Sequence, residues 1–280
     1  MMNLEKFNHE IEAVKLGIKT VGRNEILASE IPEIIKSYKK NKFSYSFLFD
    51  KKRYIYFLYF SKNKDSIVKA KKYDLLINKP LNNETKTNYN KLNEFIENHK
   101  ESQRRLGELL GYPKCCVEFY IKIVINKLLS EISKESKFVI ESIKNSKKFS
   151  SLINNLSRNR LISHFPCSYE CDKSKRYAKE LLNSVENHNL INKDINTDII
   201  LFGSRKNKIV FPNRFNDEKI NYNFENLIIR GLNSNMINAL MKGNVTMIKN
   251  NNFYIMKYQD ILFELPNNKK LDCKLISFRP

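Results

Sequence analysis

The sequence contains none of the short motifs that identify the common nucleotide-dependent and hydrolytic enzymes. It has no Gly-x-x-x-x-Gly-Lys-Ser/Thr loop and no Gly-x-Gly-x-x-Gly, which disfavours nucleotide hydrolysis and dinucleotide-dependent oxidoreduction. The metalloprotease motif His-Glu-x-x-His and the hydrolase motif Gly-x-Ser-x-Gly are also absent. Any activity therefore has to come from a less common kind of site.

Long apolar segments are missing as well. No run approaches the roughly 18 residues of a membrane-spanning helix, and the N-terminus has no signal-peptide hydrophobic stretch. With 41% hydrophobic residues, we expect a soluble cytoplasmic protein that does not contact a membrane. In that reducing compartment, clustered cysteines indicate metal binding or catalysis rather than structural disulfides.

Acidic residues are too few to balance the basic ones: 30 Asp and Glu face 50 Lys and Arg, a net charge of +20. Such an excess favours polyanionic partners such as RNA or DNA. Lys, Asn and Ile are all abundant, however, which is also what an AT-rich genome produces, and the charge is spread evenly with no basic tail or arm. Nucleic-acid binding and a merely lysine-rich surface both stay open, and the sequence does not indicate an oligomeric state.

The composition predicts an α+β protein in three parts, beginning with an α/β segment over residues 1–80. Helical patterns cover Phe7–Lys19 and Glu25–Tyr38. The aromatic runs Phe43–Phe49 and Arg53–Phe60 predict a β-hairpin. Such strands can stack RNA bases, but alternate aromatic residues facing the flanking helices are the favoured interpretation.

The second part, residues 81–192, is predicted to be a helical domain that carries the cysteines. One helix, Leu92–Leu110, should stop at Gly111 and Pro113, and Cys115 and Cys116 should open the next. The third part, residues 193–280, is predicted to be a small β-rich domain, a barrel or a curled sheet. Its short β runs are Ile199–Phe202, Lys208–Phe211, Leu227–Ile229, Val245–Ile248, Phe253–Tyr258, Ile261–Glu264 and Lys274–Phe278.

Four of the five cysteines lie in two short stretches, Gly111–Cys116 and His164–Cys171. In each, an aromatic residue and a proline precede the cysteines and a helical pattern follows. A proline in the first helical turn would place the thiols at the positive end of the helix dipole, which favours ionised sulfur. If the helix starts meet, four thiolates converge on one metal centre: Cys115, Cys116, Cys167 and Cys171.

The spacing favours an iron–sulfur cluster slightly over zinc. Neither the adjacent pair nor Cys-x-x-x-Cys is the usual zinc knuckle, and adjacent helical residues point about 100° apart. A radical-SAM loop is disfavoured, because position 174 is Ser174 rather than a third cysteine. His164 could replace one cysteine as ligand or hydrogen-bond a sulfur. A redox dithiol, a thiol nucleophile and buried core cysteines are the alternatives.

Three further residues are candidates for binding a substrate or phosphate group near the thiols. Arg104 and Arg105 stand about two helical turns ahead of Cys115 and could clamp a phosphate or carboxylate. An ion pair with a carboxylate such as Glu108, or simple exposure, is the favoured interpretation of these arginines. Ser168 lies inside the second cysteine motif.

The segments Gly111-Tyr112-Pro113-Lys114-Cys115-Cys116-Val117-Glu118-Phe119 and His164–Ser174 resemble the two signature motifs of the family called domain of unknown function 483. The resemblance covers about residues 90–190. It implies a paired-motif site at the four cysteines, with His164, Ser168 and Ser174 nearby, and it supplies no substrate. The flanking segments gain nothing from it.

Two function classes follow from these observations. The first is a metal-thiolate enzyme of unknown reaction, with RNA as one candidate substrate and with an open or exchangeable ligand position. The second is a non-catalytic nucleic-acid-binding protein with a structural zinc site made of four cysteines. The costly placement of thiols at helix starts favours the enzyme, but whether the protein is an enzyme stays open.

Overall fold

The computed structural model describes two compact units, Met1–Glu131 and Ile132–Pro280. Both helices and β-sheets are present, so the fold is α+β, as predicted. The finer division at residues 80 and 192 stays a prediction. The described residues are 9–51, 54–128, 136–156, 160–184 and 195, with the backbone of strands at 198–204, 207–211, 228–230, 246–250, 253–258, 261–264 and 273–277.

The first unit contains an antiparallel three-stranded sheet in the order β1-β3-β2. The strands are β1 (Gly22–Ile26), β2 (Ser44–Asp50) and β3 (Ile55–Ser61). Strands β2 and β3 pair from Ser44 opposite Ser61 to Asp50 opposite Ile55, which confirms the predicted aromatic hairpin.

Helices pack on both faces of this sheet. The helices of this unit in the described residues are α1 (His9–Lys15), α2 (Ile31–Lys40), α3 (Lys64–Ile77), the short α4 (Asn83–Thr87), α5 (Tyr89–Leu109) and α6 (Lys114–Leu128). The central strand is buried on both sides, because Phe57 and Tyr59 pack with residues of α3 and α5 while Leu58 and Phe60 pack with residues of α1 and α2. A strand that is covered on both faces has a nearly continuous apolar sequence, as β3 does.

The aromatic side chains of β2 mainly form core, as the favoured interpretation predicted. Phe43, Tyr45 and Phe47 pack into the cluster around Tyr38. Phe49, at the end of the strand, is 41% exposed and contacts Tyr54 and Tyr56.

The predicted helix over Glu25–Tyr38 is wrong in its first part. Glu25 and Ile26 belong to β1, whose five residues all pair with β3. Backbone pairing with a buried strand outweighs the helical spacing of a short segment. The helix begins only at Ile31, with Pro32 in its first turn.

The first helix is shorter than predicted, and α3 was not predicted at all. Helix α1 ends at Lys15, just before Gly17, whose φ is +75°. The predicted start at Phe7 lies outside the described residues.

The second unit begins with helices and ends with strands. The helices are α7 (Ser136–Lys144) and α8 (Asp172–Asn183). The seven predicted β runs are confirmed within one or two residues: β4 (Asp198–Ser204), β5 (Asn207–Phe211), β6 (Ile228–Arg230), β7 (Thr246–Asn250), β8 (Phe253–Tyr258), β9 (Ile261–Glu264) and β10 (Cys273–Ser277). They form two antiparallel sheets, in the orders β10-β4-β5-β6 and β7-β8-β9. No helix in the described residues has the length and apolar character needed to cross a bilayer.

A buried ion pair joins α1 to the segment that follows it. The Lys19 ammonium contacts Glu10 Oε1 at 2.5 Å, and their side chains are 0% and 2% exposed. Burial alone would raise the pKa of Glu10, but Lys19 and His9 hold it well below its ordinary range. The resulting stabilisation is present above the unfolded pKa of about 4.3 and is lost as the pH falls through the lower folded value.

We expect Lys19→Met to lower the free energy of unfolding by about 3–5 kcal/mol, because it leaves a buried carboxylate without its cation. Lys15→Met is the matched control, since Lys15 pairs with Glu12 at 2.7 Å but is 41% exposed, and it should cost less than about 1 kcal/mol. Adding Glu10→Gln to Lys19→Met should restore part of the loss. Urea unfolding at pH 7 measures all three, and equal losses for the two lysine variants would contradict the expectation.

Candidate metal centre

The first cysteine motif follows a tightly closed helix end. Leu110 caps α5, and Gly111 has a φ of +67°. The Gly111 N–H donates to the Glu108 carbonyl at 3.0 Å and the Tyr112 N–H to the Gly107 carbonyl at 2.9 Å. These two bonds form a Schellman motif, which confirms the predicted stop and fixes the chain direction just ahead of the cysteines.

Two glycines in this region allow close packing. A Cβ at Gly107 would lie 2.6 Å from a methyl carbon of Val117, so α5 and α6 approach closely there. A Cβ at Gly111 would lie 2.4 Å from the Ile18 carbonyl oxygen, so the loop rests directly on the segment after α1. Lys19 adds to this contact, with its ammonium 5.0 Å from the centre of the Tyr112 ring.

Helix α6 begins immediately after Pro113. The N–H groups of Cys116 and Val117 both donate to the Pro113 carbonyl, at 2.8 and 3.0 Å. Cys115 and Cys116 therefore occupy the first helical turn, as predicted, with Cys115 half-buried and Cys116 buried. Their sulfur atoms are 3.9 Å apart, so adjacent helical cysteines do reach a common point.

The second motif differs from the predicted helix start. Cys171 is the N-cap residue of α8, with φ −56° and ψ 109°. Cys167 lies four positions earlier, just before a turn that the Cys171 N–H closes by donating to the Ser168 carbonyl at 3.2 Å. Pro166 therefore precedes this turn rather than a helix, because the backbone at Cys171 is not yet helical.

Helix α7 and its C-terminal extension hold that turn in place. Ser142 donates from its hydroxyl to the Pro166 carbonyl at 2.5 Å, and the Asn145 amide donates to the Cys167 carbonyl at 3.0 Å. The Tyr169 N–H donates to the Ser146 hydroxyl at 2.6 Å. Each cysteine of this motif is thus positioned through the backbone beside it.

The four thiols of the two motifs form one group. The sulfur atoms of Cys115, Cys116, Cys167 and Cys171 all lie within 4.8 Å of one another. Four sulfurs this close are a sufficient ligand set for one metal, so the group is a candidate metal site.

His164 is not a member of the four-sulfur group. It is 5% exposed, and its Nε2 lies 2.9 Å from the Ser174 hydroxyl oxygen, while the Tyr177 ring meets it edge-on at 5.9 Å. The Asn155 amide donates to its backbone carbonyl at 3.2 Å. These contacts tie His164 to the first turn of α8.

The two arginines make ion pairs with glutamates. Arg104 donates to both carboxylate oxygens of Glu118, from Nε at 2.7 Å and Nη2 at 3.2 Å. Arg105 pairs with Glu101 at 2.8 Å and with Glu108 at 3.6 Å. The Glu118 pKa is lowered by the hydrogen bond from Arg104. The partner of Arg104 is thus Glu118, across the two helices, rather than Glu108.

Ser168 serves the turn between the second pair of cysteines. It is half-buried, and its hydroxyl accepts the Glu170 N–H at 3.4 Å. The predicted role of Ser168, Arg104 and Arg105 in binding a substrate stays a prediction. Sequence reasoning missed the residues that position the loops, above all Lys19, Ser142 and Asn145, because nothing in their local sequence distinguishes them from the chain's other lysines and polar residues.

Residues 75–195 match the family model described as "Protein of unknown function (DUF483)". The resemblance drawn from the two motifs is therefore confirmed, over a slightly longer stretch than predicted. No curated protein and no solved structure matches the chain. The first sheet and the Lys19 segment lie outside the matched region.

We expect Gly111→Ala to destabilise the fold by more than about 2 kcal/mol, because the left-handed backbone alone costs about 1–2 kcal/mol and the new methyl group meets the Ile18 carbonyl. Gly17→Ala is the matched control: its φ is +75°, but nothing lies within 4 Å of its Cβ position. It should show the backbone strain alone. Urea unfolding measures the difference, and two equal losses would mean that the close contact at Gly111 has no energetic weight.

Proposed function

We propose that the chain is a metal-thiolate protein in which Cys115, Cys116, Cys167 and Cys171 hold one zinc ion that stabilises the fold. The observation that carries this proposal is the grouping of the four sulfurs within 4.8 Å. Cysteines used only as small apolar core residues have no reason to gather at one point. Two of the four, moreover, are only half-buried.

The sulfur spacing supports a single ion over a cluster. A tetrahedron with zinc–sulfur bonds of about 2.3 Å has edges of about 3.8 Å. The Cys115 and Cys116 sulfurs are 3.9 Å apart, close to that edge. An iron–sulfur cluster places irons and sulfides between thiolates bound to different irons, which spreads its four ligands further than one ion does. Zinc is therefore preferred to the cluster that the spacing of the cysteines along the sequence favoured.

A closed site favours the structural role over the catalytic one. Catalytic zinc keeps one position for water or substrate, whereas structural zinc is enclosed by four protein ligands. Four thiolates leave no such position. In addition, His164 contacts Ser174, and Arg104 and Arg105 contact glutamates, so the residues expected to line a reaction pocket already have partners.

Nucleic acid is the second part of this proposal. The net charge of +20 supports a polyanionic partner. A protein that binds RNA or DNA without changing it chemically accounts for this charge. In such a protein the closed zinc site serves only to stabilise the fold. An enzyme acting on RNA through an exchangeable cysteine is the alternative.

The metal is tested on anaerobically purified full-length protein by elemental analysis and an absorption spectrum. We expect about one zinc per chain and no visible absorption, and a lower unfolding temperature when a chelator is added. Cys167→Ser should lose the zinc and the response to chelator, whereas Cys273→Ser, the matched control outside the group, should keep both.

Other outcomes of that experiment have definite meanings. Stoichiometric iron with sulfide and broad visible absorption would mean that the site holds an iron–sulfur cluster rather than zinc. Protein without metal, with all four thiols of the group titrating freely, would overturn the proposal.

The role of nucleic acid is tested by titrating labelled single-stranded RNA at several salt concentrations. We expect binding that weakens steeply with salt and leaves the RNA unchanged, because it depends on lysine–phosphate contacts. Under conditions in which the Cys167→Ser variant stays folded, it should bind RNA as the wild type does. If the protein has no affinity for RNA at low salt, nucleic acid is not its partner. Metal-dependent conversion of the RNA would favour the enzyme.

A further inference from the structure

A groove of about 790 Å³ in the first unit lies between strand β2 and helix α3, away from the cysteine motifs. Its apolar lining includes Val68, Leu75 and Leu76, which are 61%, 53% and 42% exposed. Large aliphatic side chains this exposed and this close together are unusual unless something covers them. Four lysines also line the groove, and none of its lining residues is acidic: Lys64, Lys71, Lys72 and Lys79.

The strand side of the groove is a sheet edge. Strand β2 is the last strand in the order β1-β3-β2, and in the described residues it pairs with β3 alone. Tyr45 and Ser46 both line the groove although consecutive strand residues point to opposite faces. The groove therefore reaches the free edge of β2, where alternate residues present unpaired N–H and C=O groups.

Edge strands are usually protected by their own charges or prolines, and β2 has only one such residue, Asp50 at its end. The segment Ser44–Phe49 has neither. The lysines stand instead on or just beyond α3, and Lys71 reaches the strand, donating from Nζ to Ser46 Oγ at 2.8 Å. Their position suits recognition of an incoming segment better than exclusion of one.

Buried contacts hold helix α3 at a fixed position on the sheet. Asp74 is 3% exposed and accepts hydrogen bonds from Arg23, at 3.2 Å, and from Tyr59. Ile67 and Ala70 lie in the same core as Tyr59. The spacing between helix and strand is thus set by buried contacts, before any ligand arrives.

We propose that this groove binds an extended, acidic segment of a partner protein, which adds as a strand to the free edge of β2. Main-chain hydrogen bonds to β2 would supply affinity, and aliphatic side chains of the partner would cover Val68, Leu75 and Leu76. Its carboxylates would pair with the four lysines. The proposal does not rest on the metal centre.

Other occupants fit less well. A second copy of the chain would bring its own lysine-lined groove against this one, and like charges repel. Single-stranded nucleic acid would match the lysines, but its bases need flat aromatic surfaces. The lining is mainly aliphatic, and Tyr45 is the one aromatic residue in it. The test described next distinguishes both of these occupants from an acidic peptide.

The test uses the full chain and a fluorescein-labelled peptide as long as the seven residues of β2, alternating acidic and aliphatic residues. Fluorescence anisotropy should show saturable binding. Leu75→Glu and the double variant Lys71→Glu, Lys72→Glu should each weaken it by about tenfold or more. Leu27→Glu is the matched control, since Leu27 is an equally exposed leucine, at 55%, outside the groove lining, and it should bind as the wild type does.

A second peptide separates strand addition from simple charge attraction. With alternate backbone amides N-methylated, it keeps its charge and side chains but cannot complete the hydrogen-bond ladder, so it should bind at least about tenfold more weakly. Equal binding of both peptides, equal binding by all variants, or no binding would overturn the proposal. So would a dimer broken by Leu75→Glu, or RNA that binds in this groove in place of the peptide.

Discussion

Four sulfur atoms within 4.8 Å of one another are the constraint on which the cysteine-bearing half of the structure depends. Ionised thiolates at this distance repel each other strongly unless a cation lies among them. Neutral thiols gain little from meeting, because sulfur is a weak hydrogen-bond partner. A metal ion held among the four sulfurs would offset this repulsion, and its binding free energy would then add to the free energy of folding.

The two pairs of thiols are positioned by different local structures. Cys115 and Cys116 follow a Schellman motif at Gly111 and open a helix, so helical geometry sets their relative position. Cys167 and Cys171 lie in a turn held by side chains of α7 and the residues after it. In both cases these hydrogen bonds join backbone groups at or near the cysteines.

The parts of the fold that the sequence predicts are those with local causes. The aromatic hairpin, the stop of α5 at Gly111 and the strands β4 to β10 follow from alternation, from aromatic content and from glycine at a left-handed position. Strand β1 was missed because its partner β3 is distant in sequence. The Lys19–Glu10 pair was missed for a similar reason: burial is a tertiary property, and Lys19 looks like any other lysine along the chain. The four cysteines were predictable as a set, whereas the distances between their sulfurs depend on the tertiary fold.

The local charge differs between the first cysteine motif and the groove beside β2. Beside the first cysteine motif, Arg104 and Arg105 are paired with Glu118, Glu101 and Glu108, so the basic charge there is largely neutralised. At the groove of the first sheet, by contrast, four lysines share the lining with no carboxylate. Long-range attraction of an anionic partner depends on charge that is not locally cancelled. The groove beside β2 is thus better suited than the surroundings of the first cysteine motif to attract an acidic chain.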